Sequence, residues 1–169
     1  MSALPAKTPD AIASQDETHL HIHELLTAAT QALLHEQPGL GTFEDHRPQR
    51  DRPSGEAWNG LETMCHVSAL LIAGRSPDLS ECGSQRLLDA VDSAVAPLRL
   101  TRQDDREDSG VRTVVWRDPD GVRLEVVIGV RVAVRAISMP FLPGSLRPLW
   151  TTSPASPISP LTPPPQPLH

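Results

Sequence analysis

The sequence predicts an α+β fold: two helices packed on one face of a four- to five-stranded antiparallel sheet, followed by a disordered Pro-rich C-terminal tail. Three observations carry that prediction. From Val122 to Ala136 every even position is apolar, while the odd positions include Arg123, Glu125, Arg131 and Arg135. A period of two is the pattern of a half-buried strand, because successive side chains point to opposite faces of a sheet. Two other segments, 16–36 and 80–96, instead carry apolar residues at helical spacing. Finally, seven of the 18 prolines fall after Thr152. Proline lacks a backbone donor and fixes φ, which keeps that stretch out of helices and central strands.

These limits divide the chain into a flexible N-terminus (1–15), a single α+β domain (16–149) and the Pro-rich tail (150–169). The first helix is expected over Asp16 to Glu36. Asp16 or Thr18 can cap it, and Ile22, Leu25, Leu26, Ala29 and Leu33 form its apolar stripe. Pro38-Gly39 stops it. A short strand follows at Gly41 to Asp45, and His46 to Gly60, rich in charge, Pro and Gly, reads as a loop. Between Leu61 and Ile72 a strand is favoured from about Cys65 to Ile72, since Ala73-Gly74 and Ser76-Pro77-Asp78 punctuate it soon after. The second helix runs from Ser80 or Ser84 to Ala96, with Leu87, Leu88, Val91, Ala94 and Val95 on one face and Pro97 at its end.

Leu98 to Arg102 reads as a strand before an acidic hairpin loop, Gln103 to Gly110. Val111 to Arg117 is a strand, and Asp118-Pro119-Asp120-Gly121 has the chemistry of a tight turn. The alternating segment, residues 122–138, exceeds ordinary strand length and must bend at its one internal glycine, Gly129. A three-residue connection of Ile128, Gly129 and Val130 would pair Val126 with Val132 and Leu124 with Val134. An odd-length connection keeps the even residues on one face; an even-length one would bury Arg135 among them. Such a ribbon cannot stand alone, and the two helical stripes are its natural cover.

Charge and composition exclude several classes. The net charge of −6 argues against a nucleic-acid partner. No run of about eighteen apolar residues predicts a transmembrane segment. The N-terminus lacks the pattern of a signal peptide, so the chain as written reads as cytoplasmic; a start further upstream would reopen the cell envelope. Two cysteines, Cys65 and Cys82, are too few for a disulfide scaffold and read as structural; they could pair only in an oxidising compartment. No GxGxxG, Walker A or GxSxG sequence occurs, and no cofactor is predicted.

The chemistry-bearing residues are sparse. His19, His21 and His23 cluster at the start of the first helix, with His35 further along. His19 and His23, four apart, share a helix face and could hold one metal ion if His66 or Cys65 arrived as a third ligand. The plainer reading is a solvated helix face. Cys65 and His66, adjacent on a strand, point to opposite faces and cannot form a nucleophile–base pair. The segment from His46 to Pro53, with three arginines and Asp51, reads as a solvated basic loop, and the acidic run Asp104 to Asp108 lacks the ligand pattern of a calcium loop.

The element order is helix, short strand with an aromatic (Gly41 to Asp45), a strand with Cys65, helix, then a closing meander that contains Asp118 to Gly121 and ends at Pro143-Gly144. This order, over about Asp16 to Gly144, resembles the small actinobacterial domains of the LppA-like lipoprotein type. The Arg-rich composition, 14 of 15 basic residues, agrees with that source. The resemblance implies a non-catalytic interaction domain of the cell envelope, with an unidentified protein partner and no catalytic residues to carry over. Met139 stands where that family often has a cysteine, so the family's disulfide to this position is not expected. The leading expectation is therefore a small binding module with no ordered polar cluster in a cleft. The alternative is a metal-binding protein or metalloenzyme built on His19, His23 and His66. A third reading is an immunity- or inhibitor-type protein whose acidic surface meets a basic partner.

Overall fold

The computed structural model describes residues 12–144, and the Pro-rich tail predicted from residue 150 lies outside them. Two helices, α1 (Gln15–Glu36) and α2 (Glu81–Val95), pack on an antiparallel sheet. The sheet has eight strands, not four or five: β1 (Phe43–Arg47), β2 (Arg50–Trp58), β3 (Leu61–Val67), β4 (Leu70–Ala73), β5 (Thr101–Asp108), β6 (Val111–Arg117), β7 (Arg123–Ile128) and β8 (Val132–Ile137). Its order is β1-β4-β8-β7-β6-β5. The hairpin of β2 and β3 joins at the far end of β8, through Val67 opposite Ile137.

Helix α1 begins earlier than its apolar stripe suggests. Ser14, not Asp16 or Thr18, is the N-cap: its hydroxyl accepts from the Glu17 backbone while the Glu17 side chain accepts from the Ser14 backbone. This reciprocal box satisfies two donors that a helix start leaves open. Ile22, Leu25, Ala29 and Leu33 are buried, as the stripe requires. Helix α2 starts after Ser80, whose hydroxyl accepts from the Gly83 backbone, and buries Leu87, Leu88, Val91 and Val95. The even-numbered residues Val122, Leu124, Val126, Ile128, Val132, Val134 and Ala136 meet both stripes in one core. None of the described helices is long and apolar enough to cross a membrane.

Three expectations need correction. The supposed loops at 46–60 and 103–110 are largely strands, β1 and β2 in the first and most of β5 in the second. Nearly all of their residues are exposed, so neither buries a face and neither shows a period of two. Backbone pairing with β3, β4 and β6 holds them instead. The strand expected around Cys65 to Ile72 is two strands, broken at Ser68-Ala69, where the Ser68 hydroxyl accepts from the Ala136 backbone. The last hairpin has an odd-length connection and keeps its even residues on one face. Its register, however, pairs Val126 with Val134 and Leu124 with Ala136. The turn centres on Val130, which is 77% exposed, and not on Gly129. A shift of two residues preserves the facing of every side chain, so alternation alone does not distinguish the two registers.

Candidate functional site

His66 lies on β3 and Asp51 on β2, and the two are direct cross-strand partners. Residues so paired share a face of the sheet. That face is the one α1 covers, and His19 on the second turn of α1 stands above them. The His19 and His66 rings lie 4.0 Å apart between centroids. Phe141, fully buried, forms a T-shaped pair with the His19 ring, the centroids 6.0 Å apart. Phe141 is fixed by a reciprocal pair of backbone bonds with Met64, each 2.8 Å.

One carboxylate oxygen joins the two imidazoles. Asp51 Oδ1 is 2.7 Å from His66 Nδ1 and 3.1 Å from His19 Nε2. An ionised carboxylate only accepts, so both ring nitrogens donate. The other oxygen, Oδ2, accepts from the Gln15 amide at 3.2 Å. Burial alone would push the Asp51 carboxyl up. The hydrogen bonds from His66 and His19, and the charge those rings carry when protonated, outweigh it and hold the group below the usual carboxylate range. The carboxylate is therefore ionised at neutral pH.

His66 is the rigid member, with a side chain only 3% exposed. Its backbone N–H donates to the Ser138 hydroxyl at 2.8 Å, and its carbonyl accepts from the Ser138 N–H at 2.9 Å. His19 is more accessible, at 36%. Both histidines form part of the wall of a cleft of about 300 Å³ that runs between α1 and strands β1, β3 and β4.

Of the residues singled out in the sequence, His19 and His66 come together. His23 does not join them: it lines the same cleft but is exposed, and the donor atoms within 4.8 Å of one another belong to His19, Asp51 and His66. Cys65 is buried in β3 with its side chain directed to the opposite face from that of its neighbour His66, and Cys82 is exposed in the first turn of α2; both are free thiols. Asp51 was missed because the segment carrying it reads as a loop. Its role follows only once β2 is known to pair with β3 in the register that sets residue 51 opposite 66.

No protein-family model matches the chain, and no curated protein does. Two solved structures share the fold. One is a DUF4853 family protein from Actinomyces odontolyticus, with a TM-score of 0.57 and 18% identity, over 80% of this chain and 72% of that one. The other is the putative lipoprotein LppA from Mycobacterium tuberculosis, with a TM-score of 0.54 and 9% identity, over 84% and 87% of the two chains. The expected likeness to the LppA type thus holds at the level of fold.

Proposed function

We propose that the protein binds a divalent transition metal, best represented by zinc, through His19 Nε2, Asp51 and His66 Nδ1. The observation that carries this reading is the convergence of three donor atoms from three elements within 4.8 Å of one another. In a tetrahedral zinc site with bonds of about 2.0–2.1 Å, neighbouring ligands stand roughly 3.3 Å apart. The separations of 2.7 and 3.1 Å from Asp51 Oδ1 are hydrogen-bond lengths, about 0.2–0.6 Å short of that edge, so the three groups would spread slightly around an ion. A cation would take the place of the two protons that the three atoms share. Two imidazoles and one carboxylate suit zinc, and three protein ligands leave a position open. Gln15 on Oδ2 supplies the outer hydrogen bond that orients a ligating carboxylate.

An interaction module without chemistry would need no such cluster in a cleft, and this favours the metal reading over it. The test is calorimetric titration of the metal-free protein with zinc, alongside thermal melting. One zinc should bind per chain, and at a hundredfold excess over Kd the folded state should gain about 2.7 kcal/mol. His19→Ala and Asp51→Asn should both lose that gain. A melting point indifferent to zinc, or unchanged affinity in both variants, would refute the proposal.

A further inference from the structure

The sheet face turned away from the helices carries an arginine pattern of its own. Trp116 and Leu124 are buried in the core beneath the helices, so their neighbours Arg117 and Arg123 point to the opposite face. Arg117 and Arg123 are direct cross-strand partners, the last pair of β6 and β7 before the turn that joins them. Such partners stand about 4.5–5.5 Å apart at their Cα atoms, with their side chains on the same face. Like charges so placed repel, and the pairing costs stability. The protein's own carboxylates compensate it only in part. Glu125, on the same face, is the cross-strand partner of Arg135 and accepts from it through Oε2 at 2.8 Å. Its Oε1 is 3.8 Å from Arg123 Nη2, beyond hydrogen-bond length. Arg123 Nε is buried and has no hydrogen-bond partner among the described residues. Arg117 is exposed and forms no ion pair among the described residues. The other nearby acids are engaged elsewhere: Asp104 lies 3.1 Å from Arg106, and Asp118 Oδ1 accepts from the Asp120 and Val122 backbone.

We infer that Arg117 and Arg123 form a binding site for a dianionic phosphate group. The guanidiniums of Arg117, Arg123 and Arg135 set against the one carboxylate of Glu125 leave two positive charges unmatched. A phosphate dianion matches both, whereas a carboxylate matches one. Planar guanidiniums also present paired N–H groups that fit phosphate oxygens. The chain as a whole has a net charge of −6 and repels anions, so attraction at this place comes from the local arginines. The site lies on the opposite face of the sheet from His66 and does not depend on the metal reading.

The Nε–Hε magnetic resonances of arginine report each guanidinium directly. The full-length chain, without added metal, is titrated at about pH 8 with inorganic phosphate and with phenyl phosphate, both dianions there. Chloride holds the ionic strength constant, so that general screening does not change. The Arg117 and Arg123 resonances should shift together and saturate at one anion per chain, and acetate should not reproduce this. Arg117→Gln should weaken binding by about tenfold or more, because a charge-assisted partner is lost. Arg86→Gln, on α2 at the other side of the sheet, should leave it unchanged. Without phosphate, Arg117→Gln should melt no lower than the parent, since it relieves the cross-strand repulsion. Phosphate should raise the melting point of the parent and not that of the variant. Co-sedimentation with phosphatidylcholine vesicles containing phosphatidic acid separates the sources of the phosphate. Binding of phenyl phosphate without vesicle binding assigns a soluble phosphate, and vesicle binding that Arg117→Gln abolishes assigns a lipid headgroup. Shifts no larger than those with acetate, or an affinity that Arg117→Gln leaves unchanged, overturn the site.

Discussion

Trp116 Nε1 donates to Asp92 Oδ1 over 2.6 Å, from a ring with no exposed surface to a half-exposed carboxylate on α2. The same carboxylate accepts two bonds from Arg102, at 2.6 and 3.2 Å. Arg102 is the cross-strand partner of Trp116, and its guanidinium stands 5.7 Å from the indole. One side chain thus ties α2 to both β5 and β6. Asp92→Ala leaves a buried indole N–H without an acceptor and should cost about 1–3 kcal/mol. Asp92→Asn keeps an acceptor and should cost less. Urea unfolding followed by tryptophan fluorescence measures both; equal losses would mean that the hydrogen bond is not what Asp92 contributes.

Asp105 and Arg112, on β5 and β6, form a two-point pair with distances of 2.9 and 2.7 Å. The Arg112 hydrogen bond lowers the Asp105 carboxyl below its ordinary value; burial pushes it up, and the charges of Arg112 and Arg102 add to the lowering. A carboxyl lowered in the folded state stabilises it at pH above the unfolded value, near 3.9. That contribution fades as pH falls through the lower folded value. Because the pair is partly solvated, it is worth at most about 1 kcal/mol. Asp105→Asn should therefore be less stable than the parent at pH 7 and equal to it near pH 2. A gap that stays constant across that range would contradict the assignment.

Leu124 and Val130 lie six residues apart in the alternating segment, and the register makes their substitution unequal. Leu124 has no exposed surface, whereas Val130 sits at the tip of the turn. Leu124→Ala removes core volume between the sheet and the helices and should cost about 2–5 kcal/mol. Val130→Ala should stay within about 0.5 kcal/mol. Had the turn centred on Gly129, Val130 would be less exposed and its truncation more costly. Chemical denaturation of the two variants separates the registers.

What could be read from the chain follows what each strand buries. Strands β7 and β8 bury alternate residues under the helices, so Leu124, Val126 and Val134 announce themselves. The edge strands β1 and β5 and the hairpin strand β2 put charges on both faces, and Arg106 or Arg52 looks the same in a strand as in a loop. Their stability comes from backbone bonds, which leave no trace in side-chain pattern. The site divides the same way. His19 and His66 are conspicuous as residue types, but Asp51 is one of 21 acidic residues and is marked out only by its pairing with His66.

That division yields a test of the site's composition. Gln15 holds the Asp51 carboxylate through its amide and accepts, through Oε1, from the Gly144 backbone at 3.0 Å. By holding Oδ2 it fixes the orientation of the carboxylate whose Oδ1 meets both imidazoles. Gln15→Ala should weaken zinc binding about 10–100-fold, the usual effect of losing such an outer partner. His23→Ala should leave zinc affinity unchanged, although His23 and His19 sit four apart on one helix. Calorimetric titration of these two variants ranks the alternatives. If His23→Ala abolishes binding while Gln15→Ala does not, the metal is held by the helix pair expected from spacing, and the carboxylate of Asp51 is no ligand.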